Sequence, residues 1–495
     1  MLPADYAFFA LIALIIVYLI DSDSGGGKRG RMPVPVPPNP LHPPPAPAQN
    51  RDRKEADRRK HPMPSVIILG GGLAGLSTAA ALAGTGHQVR VLESRPFLGG
   101  RATSYETAGE TIDNCQHILL RCCVNLLDFY KRLGVESDIA FHREFVFIEP
   151  GGRRSLFRAG WFPRPAHFAE SFLSLSFLNL SEKLAVMRAI RAIERQIKKR
   201  TDLDDITMLD WLQEQRQPPR AIERFWRQIL VSAINEELDK MAARHGFQVF
   251  QLGFLARRNS YEMGVPAVPL AQLYRAEAWA KLGNVEILTR TPVERVVIEN
   301  NKVSHVIAGG TEYRADRYVS ALPFERMSAI VPDLKLDLEG FEHSPITGIH
   351  LWFDRPITDL PHATLLDRTI QWMFNKGEGK AIQLVVSASR SLLEMPRADV
   401  IALALTELAE FFPEAAKAKL EKAHVVKEVR ATFSAKPGLD ARRPVARTSI
   451  SNLFLAGDWT RSGWPATMEG AVRSGYLAAE AVMDGKQRFV VPDIG

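Results

Sequence analysis

Cysteine is scarce in this chain and confined to one place: among 495 residues only Cys115, Cys122 and Cys123 occur, within nine positions of one another. An odd, low count excludes a disulfide framework and points to a reducing compartment. The cluster also lacks the paired C-x-x-C spacing of a zinc site, so despite His117 nearby no metal is expected. A strong excess of one charge is missing too. The net charge is +7, but residues 1–63 hold nine Lys and Arg against six Asp and Glu. The remaining 432 residues therefore carry only +4 and give no reason to expect a nucleic acid partner. The apolar run Tyr6–Ile20 is fifteen residues long, short of the ~20 of a comfortable membrane span. What remains is ordinary for a globular protein, 46% hydrophobic and 24% charged. The chain exceeds the ~250–300 residues at which a single core stops growing, so it can hold two intertwined domains.

The informative stretch is Val66-Ile-Ile-Leu-Gly-Gly-Gly-Leu-Ala-Gly-Leu76. A buried strand runs into Gly70, Gly72 and Gly75 at G-x-G-x-x-G spacing, which permits a tight turn, close approach of the backbone to a pyrophosphate, and tight packing of the helix that follows. Leu73 and Ala74 open that helix, whose N–H groups and positive dipole end would face the phosphates. Val89-Arg-Val-Leu-Glu93 reads as the second strand, ending in an acid 18 residues after Gly75, where a carboxylate can accept from ribose hydroxyls. Strand, turn, Ala-rich helix, second strand and terminal acid all appear in order, which predicts a dinucleotide site.

The amino terminus reads as an addition. Tyr6–Ile20 becomes long enough to span only if residues 2–4 extend it; no basic residues precede it, and those from Lys28 onward would keep the following side cytoplasmic. Nine prolines in the sixteen residues from Pro33 to Ala48 predict an extended polyproline II spacer of ~50 Å. The charged run Arg51–Lys60 would stay solvated or lean on anionic lipid. Together these predict a single N-terminal anchor holding the body at the cytoplasmic membrane face; translation from Met63, with a peripheral protein, is the alternative.

Along the body the pattern predicts an α/β nucleotide-binding domain interleaved with a substrate domain of mixed sheet and helices. Its expected segments are 64–150, 261–335 and 441–486 for the first, and 151–260 and 336–440 for the second, with 487–495 as a tail. Helical spacing marks 125–133, 181–199, 207–211, 220–233 and 398–411. Strands are expected at 285–288, 293–299, 302–307, 317–323, 348–353 and 381–387, with Asn300-Asn301 as a hairpin turn. Asn452-Leu-Phe-Leu-Ala-Gly-Asp458 reads as a buried strand ending in Gly457-Asp458, and a long helix begins near Ala466.

Glu93-Ser94-Arg-Pro-Phe-Leu-Gly99-Gly100-Arg101 resembles the segment with which FAD-dependent amine oxidases and carotenoid desaturases cover the cofactor. With both ends in place, Pro64 to about Met483, some 85% of the chain, resembles the amine oxidase and phytoene desaturase superfamily. Within it the chain is most similar to the hydroxysqualene dehydroxylases of hopanoid biosynthesis. Asp113-Asn-Cys-Gln-His117 resembles their D-N-x-Q-H segment, with Cys115 where glycine is common. Arg220-Ala-Ile-Glu-Arg-Phe-Trp226, running on to Ala233-Ile-Asn235, resembles a helical block, and Gly463-Trp-Pro-Ala-Thr467-Met468-Glu469-Gly-Ala471-Val-Arg-Ser-Gly475 a closing signature shared with plant-type phytoene desaturases. The resemblance implies FAD, held by Gly70, Gly72, Leu73, Ala74, Gly75, Glu93, Ser94, Gly99, Gly100, Arg101, Val293, Gly457, Asp458, Thr467, Met468 and Ala471.

The reaction it implies is reductive removal of an allylic hydroxyl from a C30 isoprenoid, giving squalene, with an electron donor that the sequence does not name. The acid candidates are His117, whose ordinary pKa of ~6.5 suits donation near neutrality, Asp113, which would orient that imidazole or act itself, and Glu469. A hydrophobic isoprenoid partitions into lipid, so the Trp-, Phe- and Arg-rich stretch 153–180 is expected either to dip into a membrane surface or to form core. The nearest rival is a carotenoid desaturase of the phytoene or zeta-carotene type. A flavin-binding membrane scaffold without catalysis is the rival of another class. An amine oxidase fits less well, because no cysteine follows Cys123 to link the flavin.

Overall fold

The computed structural model describes residues 63–107 and 109–494. The anchor, spacer and basic run expected before residue 63 lie outside the described residues. Two sheets organise the body. The first has five parallel strands in the order Val285–Leu288, Gln88–Leu92, Ser65–Leu69, Arg317–Ser320, Leu453–Leu455. Strands from three distant stretches thus build one nucleotide-binding sheet, and their near-continuous Val, Ile and Leu content reflects burial on both faces. A three-stranded antiparallel sheet, 293–299, 302–308 and 311–313, packs beside it. Asn300 and Asn301 make its first turn with φ of 50° and 59°, the pair of positive values a two-residue hairpin needs and asparagine tolerates.

The helix Leu73–Leu82, buried along its whole length, crosses the C-terminal helix Met468–Val482. The crossing depends on Gly475: a Cβ there would stand 2.1 Å from Ser77 Oγ and 2.3 Å from the Ala74 carbonyl. Ser77 and Thr78 donate across it to the carbonyls of Val472 and Gly475. The first and last helices of the described chain are therefore locked together at this crossing.

The second sheet has seven strands in the order Leu420–Phe433, His343–Phe353, Ala381–Ser387, Trp372–Gly377, His362–Leu365, Phe145–Ile148, Arg154–Phe157. All neighbours are antiparallel except His362–Leu365 with Phe145–Ile148. This moves one expected boundary. Phe145–Ile148 belongs to the substrate sheet and not to the first nucleotide segment, because its strand is completed by residues more than two hundred positions away. One face of this sheet packs on the helix Arg397–Phe411 through Ile349, Leu351, Met373 and Leu384. The other faces a helical layer that includes Leu180–Gln196, Met208–Glu214 and Gln228–Ile234. Asn179 with Glu182, and Thr207 with Asp210, form reciprocal capping boxes that fix where two of these helices start. Among the described residues no helix is long and apolar enough to cross a membrane.

Candidate functional site

The glycine turn after the first strand is shaped for a phosphate. Gly70 has φ of +107°, and a Cβ on Gly75 would stand 2.0 Å from the Gly70 carbonyl oxygen. Both positions exclude a side chain on protein grounds alone. Gly72 is different: a Cβ there would meet nothing nearer than Gly100 Cα at 3.9 Å, so the space in front of it is open. No side chain caps the helix that begins at Leu73, and no acid lies in its first turn, which leaves its N terminus fit for a pyrophosphate. Glu93, buried at the end of the second strand, accepts from Gly71 N–H (2.7 Å), Arg95 N–H (2.7 Å) and Ser94 Oγ (3.1 Å). It braces the turn, with carboxylate lone pairs to spare for a ribose.

The Gly99-Gly100 segment lies directly on this turn, Gly99 N–H donating to the Gly71 carbonyl at 2.9 Å. Arg101 reaches from it to the opposite end of the chain, pairing with Asp458 at 2.8 Å and donating to the Ala431 carbonyl at 2.9 Å. Gly457, at φ of +142°, donates its N–H to Ser474 Oγ in the closing helix at 2.8 Å. Thr467 caps that helix by accepting from Gly470 N–H at 3.0 Å, with Met468 and Ala471 in its first turn. Val293 is buried at the head of its strand. Sequence reading passed over Arg443, which is 1% exposed and pairs with Asp440 at 2.7 Å. It donates to the carbonyls of Asp458, Thr460 and Trp464, so one buried guanidinium holds the closing loop in shape.

The three acid candidates are corrected by their surroundings. Asp113 accepts from Ser104 Oγ (2.7 Å), Leu270 N–H (3.0 Å) and Lys376 Nζ (3.2 Å); it ties two domains together and makes no bond to His117. His117 turns Nδ1 toward the Cys115 carbonyl at 3.4 Å, and burial lowers its pKa, which removes the basis for a proton donor near neutrality. Cys115 takes φ of +62°, which explains why glycine suits that position, and Gly348 opposite leaves room for its thiol, since a Cβ there would stand 3.3 Å from Cys115 Sγ. Burial pushes that thiol up to about 12, so it is inert.

Glu469 is fully buried and accepts from Asn125 N–H (3.1 Å), Asn125 Nδ2 (2.7 Å) and Leu126 N–H (2.7 Å). It caps the helix Val124–Leu133 from another part of the chain. Burial drives its carboxyl up to about 7 against the opposing pull of these donors. The folded state thus keeps a proton that the unfolded chain releases above its ordinary value of 4.5. This group favours the fold at low pH, and its contribution is lost as pH rises from about 4.5 through 7. The measurable consequence is a fall in urea midpoint over that window in wild type, a component of which is absent in Glu469→Gln.

Between the closing helix and the substrate sheet lies a cavity of about 170 Å³. Its walls include Phe145, Phe147, Phe157, Phe254, Trp372 and Trp464, and no Lys or Arg lines it. Thr467, Met468 and Glu469 form one side. The stretch Val249–Leu255 winds as a π-helix and contributes Val249, Leu252 and Phe254, a local irregularity of the kind found at functional sites. His245 and Gln248 also line the cavity, and His245 Nδ1 has no hydrogen-bond partner. Burial lowers this imidazole to about 4, so it is neutral. Beside the cavity floor, one cross-strand row carries His362, Phe374, Gln383 and His350. His362 Nδ1, His350 Nε2 and both polar atoms of Gln383 are buried without partners. None of these residues stood out in the sequence, because the wall is assembled from segments that only the fold brings together.

Residues 73–483 match the model of the flavin containing amine oxidoreductases. A 15-cis-phytoene desaturase from Synechococcus elongatus is 28% identical over 455 residues, covering 84% of this chain and 95% of the relative. A probable zeta-carotene desaturase from the same organism is 27% identical over 480 residues, covering 85% and 99%. Among solved structures, an oxidoreductase from Methanosarcina mazei superposes with a TM-score of 0.65 at 18% identity, covering 85% of this chain and all of the other. Putrescine oxidase bound to putrescine superposes with 0.64 at 16% identity, covering 85% and 99%; these likenesses show the fold. The relatives overturn the expectation of a hydroxysqualene dehydroxylase, since proteins matched over most of their length are carotenoid desaturases. Of the three stretches that suggested the narrower reading, the closing signature is shared with plant-type phytoene desaturases and does not distinguish the reactions. The chain belongs to the flavin containing amine oxidoreductase family, and its cofactor is FAD.

Proposed function

We propose that the protein desaturates a long polyisoprenoid of the carotenoid-precursor type. The observation that carries this reading is the cavity: aromatic and aliphatic, without a fixed cation, and bounded on one side by the first turn of the closing helix. Such a surface recognises shape and apolar area and offers little to an amine or an acid. Full-length similarity to phytoene and zeta-carotene desaturases supports the same substrate class. Bound FAD supplies the two-electron acceptor for a hydride. Loss of hydride from an allylic carbon leaves positive charge on the chain, which the faces of Phe145, Phe147 and Trp372 favour through their ring quadrupoles. A proton must then leave the adjacent carbon as the new C=C bond forms. The titratable lining residues are His245, Glu469, Cys122 and Cys123. Glu469 is committed to a helix terminus, and His245 Nδ1 is unengaged, so His245 is assigned the proton. A weak base suffices, because a proton next to a carbocation is strongly acidic.

Anaerobic mixing of the oxidised holoprotein with 15-cis-phytoene, zeta-carotene or putrescine tests this through loss of flavin absorbance. A carotenoid precursor should bleach the flavin and putrescine should not. His245→Phe should retain flavin and slow bleaching by roughly 100-fold, the lower end of what a positioned base contributes. Bleaching by putrescine alone would overturn the substrate class, and an unaltered rate in the variant would remove His245 from the reaction.

A further inference from the structure

We infer that residues 486–494 are a strap over the Trp464 end of the cavity, and that Asp493 is the positioning residue that keeps the Trp464 indole in place there. The closing helix ends at Val482, and the chain then turns back along it. Glu480 Oε1 accepts from Phe489 N–H (2.8 Å) and Val490 N–H (3.0 Å). Further on, Val491 N–H donates to Asn125 Oδ1 (2.8 Å), and the Val491 carbonyl accepts from Asn125 Nδ2 (3.1 Å). Asp493 Oδ1 then accepts from both Arg473 Nη1 (3.0 Å) and Trp464 Nε1 (3.1 Å). Two apolar side chains peg this run. Phe489 enters the core of the nucleotide domain, and Ile494 is buried against Cys122, Leu252, Ala256 and Trp464. Cys122, Leu252 and Trp464 also line the cavity, so Ile494 backs the cavity wall from outside.

The size of the cavity gives the strap its purpose. At about 170 Å³ it is smaller than the roughly 300–1,000 Å³ of sites that enclose an organic ligand. A long polyisoprenoid therefore enters only if part of the wall moves, a step that rests on the substrate class proposed above and adds to it a requirement for length. Most of the wall is fixed. Phe145, Phe147, Phe157 and Trp372 stand on paired strands, and Thr467, Met468 and Glu469 open the helix locked at Gly475. Trp464 differs. Its N–H donates to Ser462 Oγ (3.2 Å) and its carbonyl accepts from Arg443 (2.8 Å), which holds the backbone, while the hydrogen bond of its ring goes outward to the strap. When Asp493 and Ile494 lift, the indole is free to swing and the cavity lengthens past it. Asp493 is exposed, so water can take over its bonds as the strap lifts.

Alkylation of the full-length holoprotein by pyrenylmaleimide, an aromatic reagent too bulky for the closed cavity, reads the strap with no substrate present. It therefore stands or falls separately from the reaction. Trypsin parts the thiols, since residues 102–121 carry Cys115 and residues 122–131 carry Cys122 and Cys123. Asp493→Ala and Ile494→Ser should each raise labelling of the second peptide by about tenfold, as a local opening does, and leave the first at its wild-type rate. Asp493→Asn, which keeps an acceptor for Trp464, should label like wild type, as should Val429→Ser at an exposed site elsewhere. Labelling of the second peptide at one rate in all these proteins would overturn the proposal. So would a rise in both peptides together, which would mean that the substitutions loosen the whole fold.

Discussion

Gly72→Ala should give a folded protein that leaves purification without its flavin. The new methyl group has no protein atom nearer than Gly100 Cα at 3.9 Å, so the polypeptide tolerates it. The space it enters is the open ground before an uncapped helix terminus, which a pyrophosphate needs for close backbone approach. Flavin content should fall below about a tenth of wild type, while circular dichroism and the melting temperature of the flavin-free protein stay unchanged. Gly75→Ala supplies the contrast. Its methyl group would lie 2.0 Å from the Gly70 carbonyl oxygen, so the turn itself must open and stability should fall with flavin binding, by roughly 1–3 kcal/mol or more. Retention of flavin by Gly72→Ala would mean that the phosphates lie elsewhere.

Arg443→Met should be the most destabilising single change near the site. The guanidinium is 1% exposed and supports three carbonyls of the closing loop, those of Asp458, Thr460 and Trp464. Asp440 would keep Arg244 at 3.2 Å, so the loss falls mainly on the loop: the Asp458 carbonyl loses its guanidinium donor, while those of Thr460 and Trp464 keep only Ser462 N–H (2.8 Å) and Ser462 Oγ (3.3 Å). Removing one partner of a buried ion pair typically costs about 3–5 kcal/mol, enough to lower the melting temperature by about 10 °C. Arg101 pairs with Asp458 in this same loop, so flavin affinity should fall as well. A thermal melt of the flavin-free protein separates the structural loss from the loss of cofactor.

Local chemistry made much of this architecture legible. Gly70, Gly72 and Gly75 between two apolar strands specify their turn by sterics alone, and Asn300-Asn301 could hardly be anything but a hairpin turn. Helix starts with reciprocal caps, such as Thr207 with Asp210, also declare themselves within a few residues. What sequence could not give was pairing at long range. Phe145–Ile148 reads as a continuation of the first nucleotide segment until His362–Leu365 is laid beside it. The same limit hid the cavity, whose aromatic wall comes from the strand at Phe145, the π-helix at Phe254 and the strand at Trp372. It also misdirected the choice of acid, since the pattern that placed Asp113 and His117 together gave no sign that Lys376 would hold one and a carbonyl the other. Arg443 looked like any loop arginine, and Trp161 like its aromatic neighbours, until burial separated them in opposite directions.

The central claim is that this FAD site serves a cavity that oxidises a polyisoprenoid, and the product spectrum tests it most directly. Oxidised protein incubated anaerobically with 15-cis-phytoene, and separately with zeta-carotene, should yield from at least one of them a product two hydrogens lighter with absorption shifted to longer wavelength, in amounts matching the flavin reduced. Recovery of both substrates unchanged in mass and spectrum, from protein carrying its full complement of flavin, would contradict the account.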